Sequence, residues 1–561
     1  MSPPTAVATE SIGEQLEVLA EDVAKEVGLG GVSHGRCEKE KLQNVVFVTS
    51  EVAPWSKTGG LGDVCGSLPP TLAARGHRVM VVAPRYGDYE DAFDTEVTAT
   101  LWLMDAHHTV RYFHCARDGV DWVFVDYPPA FLRAGTPYGD ENGTFGDNQF
   151  RFTLLQMAAL EAPLVVPVGR AVPQGVGEGA TDDCSAPMGD DVMFVANDWQ
   201  ASLLPVLLAT KYRPNGCYWQ ARTLLVIHNL FHQGVFPPGT FASLPLPDEW
   251  YGALEYQYPE HQRQGSFEEE GRSLNYLKAG ICTADRVATV SPGYAREMTT
   301  WQGGWGLNDA IGSRWETVDG VLNGIDEAEW NPSSDPHLVM NYTRRTAEKG
   351  KAACKAAMQQ EMGLPERPEA PLVVFVGRLD QQKGADLVIQ AAPWMADQGA
   401  QLIMLGTGRK DLEYGLAAAE DERRDAVRGY VGFNSDLAHR MIAAADILVM
   451  PSRFEPCGLN QLFALRYGTV PVVHATGGLG DSVQHFNPFE GTGTGWTFDS
   501  CDVDAFIHAL GCALDTYYQY PDSWRELVRR GMATDVSWRA AAEKYEDLFY
   551  WAKNDLPQTH G

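Results

Sequence analysis

No stretch of the sequence holds the roughly 18 consecutive apolar residues that a membrane span requires. Basic residues are scarce beside acidic ones: 44 Lys and Arg face 74 Asp and Glu, a formal net charge of −30 over 561 residues. That balance excludes a general nucleic-acid binder, which needs a basic footprint. It leaves room for a small anionic ligand, because local Lys and Arg can form a positive cleft inside an acidic shell. The 10 cysteines form no CxxC pair, so no zinc site is expected. Cys65, Cys282 and Cys512 lie within apolar patterns, which fits a reducing compartment. The opening MSPPTAVATES has neither a basic nor an apolar signal region, nor the Arg-rich, acid-poor character of a transit peptide. A mature form is therefore expected if the protein works in an organelle.

What is present is ordinary globular material, 44% hydrophobic and 21% charged. Its length suits three or four domains of about 150 residues, or two large α/β domains. Residues 8–28 predict an amphipathic helix through Ile12, Leu16, Leu19, Val23 and Val27, read as a tail or docking element, with a linker after it. From residue 44 strands alternate with helices: Asn44–Thr49, Arg78–Ala83, Trp122–Asp126, Met193–Ala196, Thr223–His228 and Arg286–Val290. The pattern restarts at Leu372–Val376, followed by Gln401–Leu405, Ile447–Met450 and Val470–Val473. The expected architecture is α/β with two Rossmann-like domains facing a cleft, over 44–320 and 321–530, preceded by 1–43 and closed by a helical 531–561 that crosses back to the first domain. Ligands of such sheets sit beyond the carboxyl ends of the strands.

Several loops at those ends carry chemistry. Lys57-Thr58-Gly59-Gly60-Leu61-Gly62-Asp63-Val64 joins a strand to a helix; its glycines admit a ligand to the backbone amides and Lys57 adds a charge. It lacks the Walker pattern, and a plain tight turn with a surface lysine explains glycine richness equally well. In Gly377-Arg378-Leu379-Asp380-Gln381-Gln382-Lys383-Gly384 two cations flank one turn, so both could reach one phosphate pair. Phe454-Glu455-Pro456-Cys457-Gly458-Leu459-Asn460-Gln461 puts a carboxylate at the mouth of the second sheet, where it can meet sugar hydroxyls or cap a helix. Thr476-Gly477-Gly478-Leu479 is a further glycine turn. Asp502-Val503-Asp504 precedes a helix and reads as a cap, not a manganese site.

Together these motifs resemble the starch and bacterial glycogen synthases from about residue 44 to 552. Asp147-Asn148 with Arg151-Phe152, Asn197-Asp198-Trp199, His228-Asn229-Leu230, His232-Gln233-Gly234, Val290-Ser291 with Tyr294 and Glu297, Asn323-Gly324-Ile325-Asp326, and Gly493-Thr494-Gly495-Trp496 add ordered matches. The phrasing is most similar to the soluble class I starch synthases of plants and green algae. The resemblance implies a GT-B fold and transfer of glucose from ADP-glucose to the non-reducing end of an α-1,4-glucan, with retention. ADP-glucose is then a substrate, and neither cofactor nor metal is implied. It further implies a plastid location and possible association with other starch-synthesis enzymes, but no partnership with nucleic acid or membrane. Carried over by motif, Lys57, Gly59 and Gly60 contact the nucleotide sugar, and Arg378 and Lys383 hold the diphosphate. Asp63, Asp147, Asn275 and Glu455 line the glucose side. Thr476, Gly477 and Gly478 lie near the distal phosphate, and Asn148, Arg151, His228, Asn229, Cys457, Gly458 and Leu459 complete the substrate site. One departure stands out: the family usually has His after Asp-Trp, and here Gln200 replaces it, which cannot take up a proton. A catalytically weak glucan-binding homologue and a UDP-glucose-dependent synthase are the alternatives.

Overall fold

The computed structural model describes residues 42–168, 186–257 and 271–555. The helix expected over 8–28 lies outside the described residues. The first domain is built on a nine-stranded sheet. Its strands are β1 (Asn44–Val48), β2 (Arg78–Pro84), β3 (Phe93–Leu103), β4 (Ala106–Arg117), β5 (Val120–Asp126), β6 (Met193–Asn197), β7 (Arg222–Ile227), β8 (Arg286–Thr289) and β9 (Val318–Gly320), in the order β9-β8-β7-β6-β1-β2-β5-β4-β3. All neighbours are parallel except β4, which runs antiparallel to both of its own. The second domain holds six parallel strands: β10 (Leu372–Val376), β11 (Gln401–Gly406), β12 (Val427–Val431), β13 (Ile447–Met450), β14 (Val470–His474) and β15 (Trp496–Phe498), ordered β12-β11-β10-β13-β14-β15.

The central strands are apolar at almost every position because both faces are covered. Side chains alternate between two cores: Val46 and Val48 enter one, Val45 and Phe47 the other. Val373 and Phe375 likewise part from Leu372 and Val374 in the second domain. The sequence reading passes over β3 and β4. Only one face of this hairpin is buried, so its pattern alternates with polar residues instead of forming an apolar run. It also omits the short β9, β12 and β15.

The last helix, Trp538–Asn554, leaves the second domain and packs on the first. Trp538, Ala541, Ala542, Tyr545, Leu548, Phe549 and Ala552 share a core with Leu68 and Leu72 of the helix Gly60–Ala74. The helix before it, Pro521–Ala533, stays with the second domain and extends past the expected boundary at 530. The two interdomain connections run side by side: the Ile325 amide donates to the Val536 carbonyl at 2.8 Å. A Cβ on Gly324 would come within 2.3 Å of the Trp538 nitrogen, so glycine is what allows this approach.

Polar contacts fix the docked helix. Glu546, nearly buried, accepts from Arg75 Nε at 2.6 Å and Nη2 at 2.8 Å, and lies 3.2 Å from His77 Nε2. Burial alone would raise its carboxyl, but hydrogen bonds from Arg75 and His77 hold it down to about 2. A depressed carboxylate contributes stability above its unfolded value of about 4.5, and loses it as pH falls toward about 2. Glu546→Gln is therefore expected to lower stability by roughly 1–3 kcal/mol at neutral pH, because hydrogen bonds to charged groups are lost. The gap from wild type should close on acidification, which thermal midpoints recorded from pH 7 down to pH 3 will read.

Candidate active site

The motifs meet where the carboxyl ends of the two sheets face each other. After β10, residues 377–384 turn into the helix Ala385–Asp397. Gly384 makes the turn at φ +68°, and a Cβ there would collide with the Pro451 carbonyl at 2.1 Å. After β14, a Cβ on Gly477 (φ +44°) would collide with the Glu455 carbonyl at 2.2 Å. These approaches bring three loops of the second domain onto one point. There Lys383 Nζ lies 2.9 and 2.7 Å from the two oxygens of Glu455, and Ser452 Oγ donates to Glu455 at 3.0 Å. Glu455 is 5% exposed, so the pair satisfies a charge that could not stand alone. Arg378, in contrast, is largely exposed and pairs with Asp380 at 3.2 Å.

On the facing domain, Lys57 forms an ion pair with Asp63 at 2.6 Å. Burial raises the Asp63 carboxyl, with Lys57 pulling against it. His232 is held below its ordinary value by burial first and by the charge of Arg378, on the other domain, second. The domains touch at several points. Ser291 Oγ donates to the Pro456 carbonyl at 2.7 Å, and Cys457 joins the core of the first domain. Asp481 accepts from the Gly293 amide and lies 3.4 Å from Arg296. Glu297 accepts from Thr476 Oγ1 at 3.0 Å and from the Gly477 amide at 2.7 Å. The two groups expected to serve a phosphate are thus engaged by a carboxylate of the other domain.

The remaining expected residues fall into two groups. Gly59, Gly60, Gly458 and Leu459 border the cleft; a Cβ on Gly60 would lie 3.9 Å from Leu459 Cδ1. Gly478 is buried beneath the turn, against Cys457. Asp147 holds Arg133 in a bidentate pair at 2.8 and 2.6 Å. Arg151 and Asn275 are closed to solvent. Arg151 donates to the carbonyls of Ala130 and Pro137 and to Asn148. Asn275 caps the helix Tyr276–Thr283 through Lys278 N and donates to Gln233 at 2.7 Å. In this structure both act on their neighbours. Asp502 accepts from Ala505 N at 2.9 Å and caps the helix Val503–Gln519.

Two carboxylates have no assigned role in the motif reading. Glu51 accepts from the Thr58 amide and hydroxyl and from Tyr138, and so shapes the Lys57 loop. Its signal is faint, one acid six residues before that lysine. Asp198, in the Asn-Asp-Trp match, is buried at φ +55° and accepts from the His228 amide at 2.7 Å. Burial raises its carboxyl to about 7 against these hydrogen bonds, and it pushes the His228 imidazole down to about 3. His228 is therefore neutral at pH 7, 2.9 Å from Asn197 Oδ1; Asn229 follows at the rim. Gln200 is 5% exposed, and its amide oxygen is buried with no partner among the described residues. A groove of about 940 Å³ lies behind the Gly60–Ala74 helix, lined by Asp63, Asp118, Asp326, Glu327 and Glu329 against Arg117 and Arg539. That acid-rich wall is unsuited to a diphosphate.

Comparison with known proteins settles the family. The family profile for the starch synthase catalytic domain matches residues 44–313, and that for glycosyl transferases group 1 matches 359–529. Starch synthase 1, chloroplastic/amyloplastic, of Arabidopsis thaliana is 50% identical over 548 residues, 96% of this chain and 80% of its own. The chain belongs to the starch synthase family. Soluble starch synthase 1 of Solanum tuberosum is 49% identical, over 92% of this chain and 79% of its own. The catalytic domain of starch synthase IV from Arabidopsis thaliana, solved bound to ADP and acarbose, matches with a TM-score of 0.77 at 29% identity, over 91% of this chain and 99% of that one. Sucrose-phosphate synthase from Thermosynechococcus elongatus shares the fold alone, at a TM-score of 0.52 and 17% identity over 91% and 98% of the two chains. This starch synthase family member is a GT-B glycosyltransferase, and none of its described helices is long and apolar enough to cross a membrane.

The raised Asp198 carboxyl has a measurable consequence. A group whose folded value lies above its unfolded one, about 3.8 here, gives stability that is complete below that value and lost as pH rises through about 7. Asp198→Asn keeps an oxygen for the His228 amide and removes the titration. Its thermal midpoint should therefore gain on wild type between pH 5 and pH 8. A constant offset would show that Asp198 does not titrate in this range.

Proposed function

We propose that the protein transfers glucose from ADP-glucose to the non-reducing end of an α-1,4-glucan, with retention of configuration, and so elongates amylopectin-type chains. The observation that carries this reading is the Lys383–Glu455 pair at the mouth of the cleft, with Arg378 beside it and Lys57 on the opposite wall. Breaking the bond between the sugar and the diphosphate leaves negative charge on the phosphates and positive charge on the ring. Fixed cations suit the first and carboxylates suit the second. In this proposal Arg378 and Lys383 receive the diphosphate, and Lys57, Gly59 and Gly60 hold the nucleotide sugar. Asp63, Asp147 and Glu455 lie toward glucose. Thr476, Gly477 and Gly478 approach the distal phosphate once Glu297 gives way, while Arg151 and Asn275 position their neighbours. With Arg and Lys taking the charge, the reaction needs no metal ion. Likeness to the chloroplastic/amyloplastic relatives supports a plastid location, and association with other starch-synthesis enzymes is part of the same expectation.

The deciding experiment supplies radiolabelled ADP-glucose and UDP-glucose in parallel, with EDTA throughout, and measures incorporation into glucan. Incorporation from ADP-glucose, well above that from UDP-glucose, is expected; no incorporation from either would leave a glucan-binding role. Lys383→Ala and Arg378→Ala should each lower kcat/KM by about a hundredfold, since one such contact contributes roughly 2.7–4 kcal/mol to the transition state. Circular dichroism should show both variants folded.

Gln200 gives a separate test. A buried, unpaired amide oxygen costs about 1–3 kcal/mol, so Gln200→Met, similar in shape, should be at least as stable as wild type. If the sugar supplies the missing partner, the same variant should lose activity about tenfold. Full activity in Gln200→Met would remove this residue from the glucose site.

A further inference from the structure

Aromatic side chains from both domains converge beside Glu455. Phe231 stands between two of the matched triplets and belongs to neither, and it is 51% exposed. Its ring meets that of Trp305 with centroids 5.0 Å apart and planes at 89°. Trp305 in turn lies 6.0 Å from Phe454 of the second domain, the residue before Glu455. An aromatic cluster is more often packing than a site, so the backbone that presents these rings has to decide. Trp305 sits at φ +48°, a region that bulky residues avoid. Such a conformation persists only where its surroundings over-determine it. Here two donors hold the Trp305 carbonyl, Gln233 Nε2 at 3.1 Å and the Tyr256 hydroxyl at 2.9 Å. The same Gln233 nitrogen donates to the Leu230 carbonyl at 3.1 Å, and the Gln233 side-chain oxygen accepts from Asn275 at 2.7 Å. One buried glutamine therefore fastens the loop that carries Phe231 to the loop that carries Trp305.

We propose that Phe231 and Trp305 form a platform for a sugar ring of the α-1,4-glucan acceptor, and that Gln233 is the positioning residue that sets it. The inference deepens the glucan transfer proposed above and rests on it. A glucose ring carries hydroxyls around its rim and C–H groups on its faces, so it seats an apolar face on an aromatic one. Two rings at a right angle make a corner, which suits a chain that curves from one sugar to the next; a flat purine would want a parallel slot. The position agrees. Phe454 sets the corner one residue from Glu455, whereas the cations proposed for the diphosphate, Arg378 and Lys383, stand on the loop after β10. The clamp also gives Asn275 a purpose. Closed to solvent, it acts on a sugar only through Gln233, by fixing which end of that amide faces the two carbonyls.

The test compares Phe231→Ala and Trp305→Gly with wild type, as full chains, with maltoheptaose as acceptor and ADP-glucose as donor. Glycine suits the φ of Trp305 and removes the ring. Each variant is expected to raise KM for maltoheptaose roughly five- to tenfold, the scale of one lost aromatic contact, and to leave KM for ADP-glucose at saturating acceptor unchanged. Phe231→Tyr, which keeps the ring, should restore the wild-type value. An unchanged KM for maltoheptaose in Phe231→Ala would make the rings interdomain packing only, and a rise in KM for ADP-glucose alone would make them a seat for the nucleotide; either overturns the proposal. Gln233→Glu sets an oxygen against both carbonyls and should raise the same KM. In the background of Phe231→Ala with Trp305→Gly it should add nothing, and a full further effect there would show that Gln233 does not act through the rings. If wild type transfers no glucose, the proposed function fails by itself. Titration of maltoheptaose onto the same proteins under saturating ADP still reads the platform: weaker binding in Phe231→Ala is expected, and equal binding overturns it. Phe231→Ala, at an exposed side chain, carries the test if Trp305→Gly does not fold.

Discussion

A carboxylate withdrawn from water sets the terms for the second half of this molecule. Glu455 is buried at the end of a strand, where an unpaired charge would be costly. Lys383 and Ser452 satisfy it, which requires the turn after β10 to lie against the loop after β13. That contact depends on backbone surfaces with no side chain between them, at Gly384 and Gly477. The glycines of these motifs therefore serve loop-to-loop packing at least as much as ligand access. Replacing either would push apart the groups that the charge pair draws together.

The same economy joins the two domains. Several of their meeting points are polar, a serine hydroxyl on a carbonyl, Asp481 on an amide and Glu297 on the Thr476–Gly477 turn, while Cys457 and Phe454 add apolar contact with the first domain. Interfaces of this kind hold a position without locking it. Glu297 occupies the Thr476 hydroxyl and the Gly477 amide, so any anion drawn to this turn would have to displace a domain contact to reach the same donors.

Much of this was legible in the sequence, for a physical reason. Parallel strands covered on both faces must be apolar throughout, and β1, β2, β10 and β13 announce themselves that way. The β3–β4 hairpin is half exposed, so its alternation was lost among polar residues. In the candidate site, glycine-rich loops with cations drew attention to Lys57, Arg378 and Lys383, and the fold sets all three at the carboxyl ends of the two sheets. The sequence could not reveal which polar residues turn inward. Arg151 and Asn275 spend their donors on neighbours, and Glu51 and Asp198 gain their character from burial, a property of the folded chain alone.

The helix Trp538–Asn554 makes the first domain discontinuous. Its apolar face supplies part of the core that Leu68 and Leu72 need, yet it follows the whole second domain in the chain. A nascent chain that has completed the nine-stranded sheet still carries an uncovered hydrophobic stripe along the Gly60–Ala74 helix, and it keeps that stripe in water while the whole second domain is made. Vectorial folding, in which an N-terminal domain finishes before its successor emerges, is closed to this chain. The first domain reaches its final form only after the segment that forms this helix has followed the whole second domain off the ribosome, so through that interval its own unfinished surface is the feature most exposed to aggregation or to a chaperone.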